Sequence, residues 1–154
     1  VGVLAVSCGD EVNYVNANFI AKEKGIDLTT SEFSNHSGYQ NKVSINITTP
    51  TGVKTISGTV FNEDVQRIVE INGFPLDIEP KGKMIIMRNH DVPGVIGEVG
   101  KILGNNNINI ADFRLSRGKD GALAVILIDE KACSDVLKKL DSLEAAIAVA
   151  YAEI

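Results

Sequence analysis

The chain has 154 residues, 15 of them Lys or Arg and 20 Asp or Glu, for a net charge of −5. That length holds one domain or two small ones, and 44% apolar residues suffice for a core, aliphatic in character because aromatics are only 5% and Trp is absent. Residues 1–80 carry 5 basic against 10 acidic side chains and residues 81–154 carry 10 of each, so neither half is the basic surface of a nucleic-acid binder. No apolar run has the length of a membrane span, and no charged start followed by an apolar core marks a signal peptide. Cys8 and Cys133 are too few and too far apart for a metal site, and are expected as reduced thiols of a cytoplasmic protein.

Residues 1–6 are apolar, with no initiator Met and no polar lead-in; they read as the middle of something, an excised fragment. Residues 11–24 are predicted as a helix with Val12, Val15 and Phe19 on one side and Ile20 beside them. Asp10 is its expected N-cap and Gly25 its stop. Residues 26–33 are predicted as a strand running into a polar loop, 34–40, where His36 is either a hydrogen-bonding loop residue or a ligand. Val43, Ile45 and Ile47 alternate with polar residues and predict a half-buried strand. Pro50-Thr51-Gly52 turns the chain into a β-branched run, 53–61. Asn72-Gly73 between 65–71 and 74–78 is a strong hairpin signal, because a type I′ turn needs positive φ at both central residues. Residues 79–82 read as a linker, so 1–80 form a partial α/β module.

The second half, 81–154, has a different rhythm. Strand 83–89, helix 93–104, strand 108–117, turn 118–121, strand 122–129, helix 134–141 capped by Ser134, and strand 147–154 make a ferredoxin-like βαββαβ unit. The whole chain is therefore predicted as α+β. Residues 122–128 are a nearly continuous apolar run, the signature of a central strand. Two helices on one face of a four-stranded sheet leave the other face, or an edge, to be covered.

The chemistry of this half lies in the loop after its first strand. Asp91 precedes a helix whose first amides, near Gly94, Val95 and Ile96, lack partners inside the helix. Pro93 suits the first helical position, and Gly94 and Gly97 leave room for a close approach. A free helix N-terminus attracts a carboxylate while Asp91 accepts from an ammonium group, so the loop suits a small zwitterion. The same residues also fit a simple helix cap with glycines that serve packing. A nicotinamide site would need a Gly-rich turn after a strand, whereas Gly94, Gly97 and Gly100 fall at i, i+3 and i+6. No Ser/Cys–His pairing suggests a nucleophile, so this piece is expected to be non-catalytic.

The segment Asn89-His90-Asp91-Val92-Pro93-Gly94-Val95-Ile96-Gly97-Glu98-Val99, with Asn107-Ile108-Asn109-Ile110, closely resembles an ACT domain, the amino-acid-sensing βαββαβ module. More narrowly it resembles the ACT domain ending the D-3-phosphoglycerate dehydrogenase family, which begins serine synthesis. The first half is similar to the end of that family's allosteric substrate-binding domain, through Val15-Asn16-Ala17, Ala21-Lys22-Glu23-Lys24-Gly25-Ile26, Ser57-Gly58-Thr59-Val60 and Ile68-Val69-Glu70-Ile71-Asn72-Gly73. The family usually has Pro where this chain has Asn18, and His or Tyr where it has Asn89.

The resemblance implies a parent enzyme that oxidises 3-phosphoglycerate with NAD in a region upstream, and no cofactor in this piece. It implies L-serine, or another small amino acid, bound where two ACT domains pair in a homo-oligomer. Asn89, Asp91 and Asn109 would form a polar triad, Asn109 coming from the partner subunit, with the amides near Gly94, Val95 and Ile96 receiving the carboxylate. His90 would point away. In the first module Arg67 matches one cationic position of an anion site, while Phe74 and Glu79 stand where relatives carry arginine. Two other readings compete. One is the ACT module of a different amino-acid enzyme, such as L-serine dehydratase or aspartokinase. The other is a ferredoxin-like RNA binder, which would need aromatics on strands 83–89 and 122–129, where none occurs.

Overall fold

The computed structural model describes every residue except 33–37, 40, 51 and 63, and at Val6 and Asp10 the backbone alone. The chain forms two compact units, Val1–Ser37 and Gly38–Ile154. In the first, helix α1 (Gly2–Cys8) leads through a single 3-10 turn (Gly9–Glu11) towards helix α2 (Ala17–Glu23). Leu4, Val12, Ala17 and Ala21 form its small core.

The helix expected over 11–24 thus starts six residues late, and local hydrogen bonding explains why. Asn13 Oδ1 accepts the backbone N–H groups of Val15 and Asn16, and Asn16 Oδ1 accepts that of Asn13. These bonds hold 13–16 in a turn that competes with the helix. Asn16, not Asp10, occupies the N-cap position, without a side-chain cap bond. The buried stripe is Ala17 and Ala21, while Val15 and Phe19 face solvent. At the other end Gly25 (φ 69°) stops the helix. Its N–H reaches Lys22 O and that of Ile26 reaches Ala21 O, a Schellman closure. Residues 26–32 are exposed and irregular rather than a strand. Phe33, most of the 34–40 loop with His36, and Thr51 lie outside the described residues.

The second unit contains two four-stranded antiparallel sheets. The first is a meander in chain order, β1 (Lys42–Thr49), β2 (Gly52–Phe61), β3 (Val65–Ile71) and β4 (Phe74–Ile78). Asn72 (φ 50°) and Gly73 (φ 81°) close the β3–β4 hairpin, with Ile71 opposite Phe74, the two positive φ values that a type I′ turn requires. β1 forms as predicted but is not half-buried: Val43, Ile45 and Ile47 are exposed.

The second sheet follows in the order β6-β7-β5-β8. Its elements are β5 (Lys83–Asn89), helix α3 (Val95–Asn105), β6 (Ile110–Gly118), β7 (Gly121–Ile128), helix α4 (Ser134–Asp141) and β8 (Ala146–Glu153). This is the ferredoxin-like βαββαβ arrangement. Val95, Val99 and Leu103 of α3 with Val136 and Leu140 of α4 pack on Ile85, Met87, Ala124, Ile126 and Ile128. Each of these side chains except that of Ala124 contributes about 1.5–3 kcal/mol by leaving water. Helix α3 closes beyond the expected Gly104-Asn105. Asn107 is left-handed (φ 55°), with its N–H on Gly104 O and that of Ile108 on Leu103 O. Pro93 stands before the helix, whose N-cap is Gly94, and Cys133 rather than Ser134 occupies the N-cap of α4.

The sheet face that the sequence leaves open is covered from within the chain. Ile68, Ile71, Phe74, Leu76 and Ile78 pack on Met84, Leu123, Val125 and Leu127. The two sheets therefore share a core, and β7 is buried on both sides. Strands β6 and β8 are the edges.

Candidate functional site

The end of β5 and the start of α3 are fixed by three local constraints. First, His90 N–H donates to Ala145 O and Val92 N–H to His90 O, which tightens the loop around Asp91. Second, Gly94 adopts φ 95°, a conformation that only glycine takes without strain. Third, Gly121 at the head of β7 (φ 112°) packs so closely that a Cβ there would lie 2.5 Å from Asn89 O. A Cβ at Gly94 or Gly97 would meet nothing within 4 Å. Those two glycines therefore leave open space rather than serving a close contact within this chain.

Asn89 is 3% exposed. Its Nδ2 donates to His90 O at 2.7 Å, which fixes the amide so that Oδ1 is the free end. Oδ1 is buried without a hydrogen-bond partner, a costly state for a neutral acceptor. Asn89 lines an open cavity of about 480 Å³ together with Asp91 and the Gly94–Val95–Ile96 entry to α3. Met87, Val99, Phe113, Leu115 and Ala124 supply apolar walls, and Arg117 joins the lining. Across it, Arg117 Nε lies 3.2 Å from Asp91 Oδ2. The cavity thus combines a buried acceptor, a carboxylate, a guanidinium and the free amides of a helix start.

Five of the six expected ligand residues, Asn89, Asp91, Gly94, Val95 and Ile96, line this one cavity. Asn109 does not line it within the chain. It directly precedes β6, its N–H donating to Glu130 and its Nδ2 to Asp129 Oδ2. His90 lines a separate depression with Glu98 and Glu144. Arg67 faces Asp77 on the neighbouring strand at 3.6 Å, so a carboxylate already accompanies its charge. Phe74 lies in the shared core with the Arg88 guanidinium 4.8 Å over its ring. Sequence reasoning missed Arg117. The alternation Phe113, Leu115, Arg117 along β6 was the available signal, since those side chains share one strand face.

No group of three or more His, Cys, Asp or Glu could hold a metal among the described residues. The β5–α3–β6 segment is not a parallel βαβ unit. β5 and β6 are not neighbours and the sheet is antiparallel, whereas the pyrophosphate cradle belongs to a parallel βαβ unit. Among the described residues, no helix is long and apolar enough to cross a membrane.

Residues 1–72 match the family model described as the D-3-phosphoglycerate dehydrogenase intervening domain, and residues 83–145 match the ACT domain. Over 127 residues the chain is 39% identical to the D-3-phosphoglycerate dehydrogenase of Bacillus subtilis (strain 168), covering 82% of this chain and 24% of that protein. The enzyme of the same name from Archaeoglobus fulgidus is 31% identical over 157 residues, 99% of this chain and 30% of the relative. That from Synechocystis sp. is 28% identical over 141 residues, 90% of this chain and 26% of the relative. The chain thus spans about a quarter to a third of the curated relatives it matches. An intervening-domain segment followed by an ACT domain, with relatives of one name along most of its length, places this chain in the D-3-phosphoglycerate dehydrogenase family as a regulatory region.

Proposed function

We propose that this region senses a small amino acid, L-serine in the first instance, and is the non-catalytic regulatory part of a cytoplasmic enzyme that oxidises D-3-phosphoglycerate with NAD elsewhere in a longer chain. The observation that carries the reading is one cavity lined by Asn89, whose Oδ1 is buried and unpartnered, by Asp91 and by the start of α3. Two acceptor residues lining one cavity suit an ammonium group, and the helix start suits the carboxylate. The end product of a pathway acting on its first enzyme needs such a site away from the chemistry.

The same reading takes the site to be completed by a second copy. β6 is an edge strand and offers unpaired backbone groups. Antiparallel pairing of two β6 edges brings the start of one beside the end of the other. Asn109 of the partner subunit would then stand near the Arg117 end of the cavity, where it can donate to a carboxylate or a hydroxyl. This is the arrangement that the ACT resemblance implies.

Titration calorimetry with L-serine and the other common amino acids tests the proposal. L-serine is expected to bind, and Asp91→Ala to weaken it about tenfold through loss of a charge-assisted hydrogen bond. Folded Asp91→Ala protein with wild-type affinity would overturn the site. Binding confined to a different amino acid would reassign the regulator to another pathway. Sedimentation showing a dimer that Asn109→Ala leaves intact, but whose serine affinity falls, is the expected signature of a shared site.

A further inference from the structure

We propose that Asp91 and Arg117 act together as a dipolar clamp that selects ligands carrying both an ammonium and a carboxylate. The inference rests on the amino-acid reading above and extends it to a residue at the cavity mouth. Arg117 Nε lies 3.2 Å from Asp91 Oδ2, a one-point ion pair rather than the two-pronged fork that Arg and carboxylate adopt when most strongly bound. The Arg117 side chain is 72% exposed and that of Asp91 35%. The pair is therefore weak and exchangeable. Asn89 lines the same cavity and its Oδ1 is buried and unpartnered, a second acceptor available to an ammonium.

The charges dictate the selection. The pair is neutral overall but dipolar, and a zwitterion can align against it, ammonium to Asp91 and carboxylate shared between the guanidinium and the amides at the start of α3. An amine without a carboxylate would draw Asp91 away and leave Arg117 unmatched. A carboxylic acid without an amine would strand Asp91. Both pay in lost pairing what the zwitterion keeps, so specificity arises from the mismatched partners as well as from the matched one. A planar guanidinium with several N–H donors can hold a ligand carboxylate while remaining beside Asp91, which an ammonium side chain does less well.

The test compares L-serine with L-serinamide, which keeps the ammonium and lacks the carboxylate, by calorimetry on the 154-residue chain. Wild-type protein is expected to bind L-serine about tenfold more tightly than L-serinamide. Arg117→Gln is expected to weaken L-serine about fivefold to tenfold and to tighten L-serinamide, which no longer leaves a guanidinium unmatched, with Arg117→Lys intermediate. Its melting temperature should match wild type, because the side chain is exposed. Unchanged or tighter L-serine binding by Arg117→Gln would overturn the clamp and leave the sensing reading standing. Equal weakening of both ligands would also overturn it, since Arg117 would then act only by positioning Asp91. Absence of any amino-acid binding by the wild-type chain would overturn the sensing reading itself, and the clamp with it.

Discussion

Strands β1 and β7 are both eight residues long and belong to the same compact unit, yet seven residues of β7 are buried and seven of β1 are exposed. β7 lies between β5 and β6, with helices α3 and α4 on one face and the β3–β4 hairpin on the other. Among the described residues β1 pairs only with β2, and it turns Val43, Ile45 and Ile47 outward beside Ile56. The difference teaches that strand formation and burial are separate events. Alternation makes a ribbon that can pair, and only long-range packing decides whether its apolar face leaves water.

The largest test of that contrast removes equivalent volume from each strand. Ile126 is fully buried, whereas Ile45 is 42% exposed. Ile126→Ala should destabilise the second unit by about 3–4 kcal/mol, and Ile45→Ala by less than about 1 kcal/mol. Denaturant titration of both variants would measure it, and equal losses would show that β1 is buried in solution. Next comes the clasp between the sheets. Phe74 packs in the shared core, stacks beneath Arg88, and lies where a Cβ on Gly118 would come within 2.8 Å of its ring. Phe74→Ala should cost about 3 kcal/mol and expose the amides of β4 to hydrogen exchange before those of β7. Simultaneous exchange in both strands would argue against a separable clasp.

Backbone crowding provides a smaller contrast. At Gly121 an added Cβ meets Asn89 O at 2.5 Å with φ at 112°, while at Gly58 it meets Arg67 O at 3.2 Å without positive φ. Gly121→Ala should therefore cost about 2 kcal/mol and Gly58→Ala about half as much or less. Because Gly121 touches Asn89, its substitution should also weaken L-serine, a coupling that Gly58→Ala lacks. Calorimetry on the two variants distinguishes them, and matched affinities would separate the Gly121 contact from the site.

What the sequence made legible follows the same division. The Asn72-Gly73 turn, the limits of β5 and the double burial of β7 were readable because each depends on local chemistry or on an uninterrupted apolar run. Asp91 and the glycine at the start of α3 were readable for the same reason. The late start of α2 was not, because it hangs on reciprocal bonds between Asn13 and Asn16 that spacing alone does not announce. Exposure along β1, the covering of β5 and β7 by β3 and β4, and the arrival of Arg117 at Asp91 all join residues distant in sequence. Arg117 in particular lies 26 positions from its partner, and only the β6–β7–β5 order brings them together.

The smallest expected effect concerns the edge strand β8, the counterpart of central β7. Tyr151 donates its hydroxyl to Glu153 at 3.0 Å, and Lys131 Nζ lies 3.3 Å from the same carboxylate. The hydrogen bond from Tyr151, then that from Lys131, lowers the Glu153 pKa against a small opposing desolvation. Partial burial raises the Tyr151 phenol, and its bond to Glu153 and that residue's charge raise it further. A lowered carboxyl stabilises the fold above its unfolded pKa and loses that contribution as pH falls through the folded value. A raised phenol stabilises it below its unfolded pKa and loses that contribution as pH rises through the folded value. The β8 pairing should therefore be strongest between about pH 5 and pH 10. In Tyr151→Phe, the Glu153 carboxyl should titrate at higher pH, and the loss at the alkaline end should vanish. Lys131→Ala should move it by a smaller step. Carboxyl carbon chemical shifts followed through an acid titration report this directly, and an unmoved Glu153 in Tyr151→Phe would show that the hydrogen bond does not persist at this solvent-facing edge.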